Sequence, residues 1–139
     1  MQRHCLALDL KNDPQLIAEY ERYHRQVWPE IKQSIRDAGI VVLDIYRVQN
    51  RLFMILEADD EFSFEKKAAS DAANPKVQEW ETLMWKYQQA LPGVKEGTKW
   101  IVMEKIFDLN QWLKLKIKKA KSKIESLQFC IFNFTFLIS

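Results

Sequence analysis

The sequence predicts an α+β domain in which helices cover one face of a four-stranded antiparallel sheet. Three observations lead to this prediction. Apolar side chains alternate near residues 2–10, 40–47, 51–57 and 99–107, which is the period of a strand. Apolar residues recur at steps of three and four after the first and third of these strands. The resulting order, β-α-β-β-α-β, predicts a ferredoxin-like fold of the dimeric α/β-barrel type.

The first half of the chain is predicted to contain one strand and two helical segments. Residues 2–10 place three leucines on one face, as a half-buried strand does. Residues 12–14, Asn-Asp-Pro, are typical of a helix start, with a capping side chain before a proline in the first turn. Pro29 interrupts the helix because its ring removes a backbone N–H donor. A second helical segment is then expected to end at Gly39.

The second half is predicted to form a hairpin, two helices and a last strand. Residues 40–47 and 51–57 are rich in β-branched and aromatic side chains, and the residues between them form the turn. A helix is predicted over residues 63–72 and a longer one from residue 74 to about residue 91. The inward face of the longer helix is expected to carry Val77, Trp80, Met84, Tyr87 and Leu91. Residues 99–107 supply the last strand.

One strand of the hairpin has apolar side chains on both faces. Leu52, Met54 and Leu56 alternate with Phe53 and Ile55. Helices can cover only one of these faces, so the other is left apolar. Pairing of two sheets face to face would cover it. We therefore expect a homodimer.

Composition limits the classes of function. The chain has 139 residues, enough for one domain with a core. The net charge is +2; residues 110–139 hold six lysines and one acid, or +5, which leaves −3 on residues 1–109. Because nucleic-acid binding needs clustered Lys and Arg, no nucleic acid is expected as a partner. Cys5 and Cys130 form no disulfide or metal pattern, and no signal peptide or membrane-spanning run is found. A cytoplasmic location without a membrane partner is expected.

The composition changes after residue 109. Residues 110–139 lack Gly and Pro, and residues 114–123 are basic. Residues 129–138 are mostly apolar but too few to span a bilayer. This extension could be a basic amphipathic membrane anchor, or a non-native addition that is disordered or helical. We favour the second interpretation, because the domain pattern already closes near residue 109, and we divide the chain into 1–109 and 110–139.

The candidate site lies on the first helix. Tyr20, His24 and Trp28 follow one another at steps of four, which places them on one helical face. A lone histidine is more often structural than catalytic, but imidazole is the usual proton donor and acceptor near pH 7. Tryptophan rings pack against the apolar face of a sugar. Either Trp80 or Trp85 is expected to join this site, since residues five apart do not share a face.

No cofactor and no metal are predicted. The sequence contains no GxGxxG or GxxxxGK[ST] phosphate loop, no HExxH, no CxxC and no GxSxG. His4, near the start of the chain, is interpreted as structural or exposed on an edge strand. Cofactor-free proton transfer on a small molecule is therefore the most economical enzymatic interpretation.

Four segments carry a recognisable pattern: the run AEYERYHRQVWPEI, the early strand CLALDL, the hairpin IYRVQNRLFMILE and the helix VQEWETLMWKYQQALP. Together they resemble the L-rhamnose mutarotase family. The most specific part is Y-x-x-x-H-x-x-x-W-P-E, and the resemblance covers residues 1–109. It implies a cofactor-free, ferredoxin-like homodimer that interconverts the α and β anomers of a 6-deoxy sugar. It also implies that His24 is the proton donor and that Tyr20 contacts the sugar.

Two features depart from the pattern of this family. The family has a substrate tyrosine on the second strand, where this chain has Leu43; Tyr46 carries the nearest hydroxyl. The family also has two adjacent tryptophans on its last helix. These align here with positions 80–81 (Trp-Glu) or 84–85 (Met-Trp), and we prefer Trp80 because the residues before it match.

The sequence therefore leaves the sugar open between L-rhamnose and L-fucose, and the pattern is closer to the L-fucose branch. Two other functions also remain open. One is a non-catalytic sugar-binding or regulatory module that uses the same pocket. The other is a cofactor-free monooxygenase of the dimeric α+β barrel type, which rests on fold analogy alone.

Overall fold

A computed structural model describes the backbone of residues 1–138 and the side chains of residues 1–129. It contains five helices and five strands among these residues. In chain order they are β1 (Gln2–Leu10), α1 (Pro14–Arg25), α2 (Pro29–Asp37), β2 (Ile40–Val48), β3 (Arg51–Ala58), α3 (Phe64–Ala72), α4 (Pro75–Trp85), β4 (Gln88–Gln89), β5 (Ile101–Val102) and α5 (Gln111–Ile138).

The strands form one antiparallel sheet in the order β2-β3-β1-β4, with β5 also paired to β1. In the register of β1 and β3, Leu6 lies opposite Met54 and Leu8 opposite Leu52. These four side chains are buried on one face of the sheet, which we call the inner face. The α+β, ferredoxin-like prediction is confirmed, although the sheet has five strands rather than four.

The helices pack on the inner face because their own apolar stripes match it. Tyr20 of α1, Ile31 of α2 and Val77 of α4 join Leu10 and Leu52 in one buried cluster. The other side of the sheet, which we call the outer face, carries the alternate residues of the same strands. Phe53 and Ile55 lie there and are only half-buried. This alternation agrees with the apolar character predicted for both faces of β3.

The break between α1 and α2 arises as the sequence predicts. The Asp13 side chain caps α1 by accepting hydrogen bonds from the backbone N–H groups of Gln15 and Leu16, at 2.9 and 3.3 Å. Pro29 is the first residue of α2. The chain leaves α2 through Gly39, whose φ of 87° is a left-handed conformation that favours glycine. A Cβ atom at this position would also collide with the carboxyl group of Asp59.

Two predicted boundaries are wrong. Helix α4 ends at Trp85 rather than near residue 91, because the backbone of residues 87–89 pairs with the end of β1 and with Lys11 instead of continuing the helix. The chain instead adds β4 to the free edge of β1, and Lys11 donates a backbone hydrogen bond to Tyr87 at 2.8 Å. The last strand is also shorter than predicted, since only the two residues of β5 pair with β1. One further backbone hydrogen bond of 2.7 Å, from the Met103 N–H to the Cys5 carbonyl, follows it.

The position of His4 also differs from the prediction. Strand β1 lies inside the sheet rather than at its edge. The His4 ring packs against Phe62 and Phe64, with centroid distances of 6.1 and 4.9 Å, and its Nε2 lies 2.9 Å from the side-chain oxygen of Gln2. These contacts agree with a structural role for this histidine.

The chain divides into two compact units, and the second begins at Lys105. Helix α5 occupies most of the second unit, and its side chains are exposed from Gln111 to Phe129. Among the described residues, no helix is both long and apolar enough to cross a membrane. The proposed division at residue 109 stays a prediction.

Candidate functional site

Helix α1 places Tyr20 and His24 side by side. They stand four residues apart, so they project from the same face, and their ring centroids are 4.2 Å apart. Tyr20 is almost fully buried, whereas the His24 ring is only partly covered. The predicted pairing of hydroxyl and imidazole side chains is therefore present in the fold.

One hydrogen bond fixes the His24 ring. Its Nδ1 lies 2.8 Å from the backbone carbonyl oxygen of Tyr20. A carbonyl oxygen only accepts, so Nδ1 must carry the proton, and Nε2 of the neutral ring keeps a free lone pair. Burial lowers the pKa of His24 below the ordinary value of 6.5, although the same hydrogen bond opposes this shift. At neutral pH the ring is therefore uncharged and Nε2 is available as a base.

The Tyr20 hydroxyl is neutral as well. Burial raises the pKa of Tyr20 to about 12, and a hydrogen bond from Gln88 lowers it by a smaller amount. The Gln88 side-chain amide donates to the Tyr20 hydroxyl oxygen at 3.4 Å. Gln88 could not be predicted as a site residue, because it lies in β4, inside the segment predicted as helix. Tyr20 is thus able to exchange hydrogen bonds with a ligand but not to ionise near pH 7.

Two tryptophans complete the aromatic cluster around His24. The Trp80 ring of α4 lies 5.7 Å from the His24 ring and 5.1 Å from the Trp28 ring, in both cases edge to face. Trp28 is the residue that precedes Pro29, at the N-terminus of α2. The break between the first two helices therefore brings this indole against α4.

Strand β2 provides the other wall of the site. His24, Leu43 and Tyr46 border an open groove of about 670 Å³ between α2 and the edge of the sheet. A second cavity of about 360 Å³ adjoins it and is bordered by Tyr20, His24 and Tyr46. We call this second space the α1–β2 cavity. Leu43 and Trp80 also line a third cavity of about 260 Å³ between the helices and the inner face.

Trp85 is set apart from the other predicted site residues. It is the last residue of α4, and five residues of helix turn it away from the face that carries Trp80. Among the described residues, neither Trp85 nor Trp28 borders any of the three cavities, and Trp85 takes part in none of the ring contacts above. The ring contacts thus join Trp80, rather than Trp85, to His24, and the part of Trp80 in the site stays a prediction.

An ion pair missed by sequence analysis also borders the α1–β2 cavity. Arg47 Nε lies 2.5 Å from Glu21 Oε1, and both side chains face that space. Only the hairpin register and the packing of α1 on β2 bring them together, since they are 26 residues apart. In the part of the chain that is described, no group of three or more His, Cys, Asp and Glu residues is arranged to hold a metal ion.

Comparison with known sequences gives one family. The chain matches the family model described as L-rhamnose mutarotase over residues 3–109. It is 47% identical over 113 residues to the L-fucose mutarotase of Xanthomonas campestris pv. campestris, which covers 80% of this chain and 90% of that protein. It is 33% identical over 87 residues to the L-rhamnose mutarotase of Phocaeicola vulgatus, covering 63% and 76% of the two chains.

Comparison with solved structures supports the fold. The crystal structure of an L-rhamnose mutarotase from Formosa agariphila superposes with a TM-score of 0.58 and 23% identity, over 78% of this chain and 99% of that chain. The tetracenomycin F2 cyclase of Streptomyces glaucescens gives a TM-score of 0.51 with 16% identity, over 78% and 98%. At these identities the likeness concerns the fold alone.

Proposed function

The chain belongs to the L-rhamnose mutarotase family, and we propose that it interconverts the α and β anomers of L-fucose with His24 as the proton-transfer group. It is an isomerase that acts on carbohydrates. The choice of L-fucose is supported by the relative of that name, which is 47% identical, against 33% for an L-rhamnose mutarotase. The family match favours neither the non-catalytic module nor the monooxygenase.

One observation carries the proposed chemistry: the hydrogen bond from His24 Nδ1 to the Tyr20 carbonyl, which leaves Nε2 free as a base. Nε2 takes the proton of the anomeric hydroxyl. The bond between C1 and the ring oxygen then breaks, C1 becomes an aldehyde, and the imidazolium returns the proton to the ring oxygen. Rotation about C1–C2 and the reverse steps close the ring on the other face, so the proton count balances.

The lowered pKa refines the role that the resemblance implies for His24. A proton donor with a pKa below 6.5 is mostly uncharged at neutral pH. It must therefore first accept the proton that it later donates. Positioned acid–base groups typically contribute about 10²–10⁴ in rate, which suffices because anomers already exchange slowly in water.

Four of the other predicted residues, Tyr20, Trp28, Leu43 and Trp80, are proposed to bind the sugar. The Tyr20 hydroxyl would exchange hydrogen bonds with a sugar hydroxyl, since it is neutral and its partner Gln88 is 3.4 Å away. Trp28 and Trp80 would pack against apolar C–H groups of the ring. Leu43, which lies opposite Leu56 on the inner face, would limit the site from β2. Tyr46 lies opposite Phe53, so its ring packs on the outer face and is left to the proposed dimer interface.

NMR exchange spectroscopy on the anomeric protons of L-fucose and L-rhamnose tests this function. We expect faster exchange with protein than without, and a larger acceleration for L-fucose. His24→Ala should remove nearly all of the acceleration, while His4→Ala, which alters a histidine outside the site, should retain it in the folded fraction. Exchange at the buffer rate with the native protein would refute the mutarotase activity. An unchanged rate in His24→Ala would refute only the role of His24.

We also propose that the protein is a homodimer formed through the outer face of the sheet. Phe53 and Ile55 are half-buried there, and Tyr46 and Val48 of the adjoining strand are exposed. Sedimentation equilibrium should give twice the monomer mass, and Phe53→Lys should shift the protein to monomer. A monomer at all concentrations would contradict this proposal.

A cytoplasmic location stays a prediction; Cys5, a free thiol, is compatible with a reducing compartment.

A further inference from the structure

The ion pair between Glu21 and Arg47 holds a guanidinium group in a defined orientation. Arg47 lies opposite Leu52 in the strand register, so it projects from the inner face toward α1. Its Nε donates to Glu21 Oε1 at 2.5 Å, and its Nη1 donates to the carbonyl oxygen of Gln49 at 2.7 Å. Two bonds from different nitrogens fix the plane of the group.

Stability alone gives little reason for this pair. The side chains of Arg47 and Glu21 are 36% and 41% exposed, and ion pairs with this much access to water contribute little to folding. The two residues instead border the α1–β2 cavity together with Tyr20 and His24. The pair is therefore part of the wall of the space next to the proposed proton-transfer group.

The pair also offers the groups that a sugar diol needs. Among the described residues, the hydrogen bonds of the guanidinium use Nε and Nη1, so Nη2 keeps its donors. A carboxylate has two acceptor oxygens, and only Oε1 of Glu21 is engaged by Arg47. Neighbouring hydroxyls of a pyranose both donate and accept, and a planar fork of donors next to an acceptor matches two of them.

The spacing along α1 indicates which hydroxyls these would be. Glu21 precedes His24 by three residues, a rise of about 4.5 Å along the helix axis. This is comparable with the separation between the C1 and C4 hydroxyl oxygens, which project from opposite ends of a pyranose ring. If His24 acts at C1 and the ring oxygen, Arg47 is placed toward the hydroxyls at C3 and C4.

We propose that Arg47, positioned by Glu21, binds the C3 and C4 hydroxyls of the sugar and selects the configuration at C4. This inference rests on the proposed function, because it takes His24 to lie at the anomeric centre. L-Fucose and its C4 epimer, 6-deoxy-L-glucose, differ only in the direction of one hydroxyl. A difference between the exchange rates of these two sugars therefore reports selection at C4 and no other property of the substrate.

The test compares anomer exchange of these two sugars, measured over a range of concentrations. The native protein should favour L-fucose. Arg47→Met should raise KM for L-fucose by about tenfold, as expected for the loss of hydrogen bonds from a charged group, with kcat changed by less than about twofold. It should also reduce the preference for L-fucose. Arg22→Met is the matched control, since Arg22 is an exposed arginine of α1 that packs on Tyr23.

A charge-reversed double variant separates binding from a purely structural role. Glu21→Arg with Arg47→Glu keeps an ion pair between α1 and β2 but moves the guanidinium to the helix. If Arg47 binds the sugar, KM of the double variant should stay raised. If the ion pair only holds α1 and β2 together, KM should return to the native value. Recovery of KM, or an Arg47→Met variant with native KM and preference, would overturn the inference while leaving the mutarotase activity intact. Absence of any acceleration by the native protein would instead overturn the proposed function, and this inference with it.

Discussion

At the scale of single residues, the uncharged state of His24 has a direct kinetic consequence. The proposed cycle begins with Nε2 as a base, and burial lowers the pKa of this ring below 6.5. Protonation at low pH removes the lone pair on which the cycle depends. Tyr20 does not add an ionisation near neutrality, because its pKa is raised to about 12.

The rate of anomer exchange should therefore depend on pH in one direction. We expect the acceleration to be greatest at neutral pH and above, and to decline as the pH falls through the lowered pKa of His24. Exchange spectroscopy from about pH 5 to about pH 8, with the buffer-catalysed rate subtracted at each pH, measures this profile. A rate that instead rises toward acidic pH would indicate that the imidazolium begins the cycle.

The residues of the site differ in how readily a sequence reveals them. Tyr20 and His24 could be predicted together because one helical period places them on the same face of α1. Trp28 lies beyond the end of α1, and the structure connects it with His24 through Trp80 rather than through a shared helical face. Gln88 and the pair of Glu21 with Arg47 could not be predicted, because their positions depend on strand pairing across distant segments. The spacing of residues within one helix or strand predicts which side chains share a face of that element. A contact between two elements can be predicted only when the register of the strands is known.

At the scale of elements, the segments with capping side chains were predicted most accurately. Asp13, Ser63 and Asn74 each accept hydrogen bonds from the first turn of a helix, and all three helices begin within one or two residues of the expected position. The end of α4 was not predicted, because helical spacing continues in the sequence beyond Trp85 while the chain gains more by pairing with β1. The alternation of apolar side chains in residues 99–107 likewise predicts a long last strand. Such a strand also needs a free strand edge to pair with, and β4 and β5 both pair with β1.

The end of α2 allows a stability prediction. Gly39 combines a positive φ of 87° with close approach of the Asp59 carboxyl group, while Gly93 has a φ of 77° and open space around it. Gly39→Ala should lower the free energy of unfolding by at least about 2 kcal/mol, and Gly93→Ala by about 1 kcal/mol. Urea denaturation of both variants measures the difference. Equal losses would show that Asp59 moves aside without cost.

At the scale of the whole molecule, the family match and the first compact unit end at nearly the same place. The match covers residues 3–109, and the first unit ends at Glu104. The site residues all lie within both limits. Helix α5 carries exposed apolar side chains among its lysines, including Trp112, Leu115 and Ile117.

Removal of residues 110–139 should therefore leave the fold and the activity of the remainder intact. We expect the melting temperature of the main transition and kcat/KM for L-fucose to stay close to those of the full chain. Solubility should rise, because exposed apolar side chains are lost. Calorimetry and exchange spectroscopy on both forms measure these quantities. A loss of either folding or activity would show that the extension belongs to the functional protein.

The two walls of the α1–β2 cavity carry different parts of the proposed reaction. Proton transfer belongs to α1, whereas hydroxyl selection belongs to Arg47 on β2, an outermost strand that pairs with β3 alone in the described part of the chain. The two parts can therefore vary independently. Substitutions in β2 can suit another sugar, while the His24 ring and its hydrogen bond to the Tyr20 carbonyl stay unchanged. Exchanging the inward residues of β2 between relatives should then transfer substrate preference, and the chemical step would be inherited unchanged.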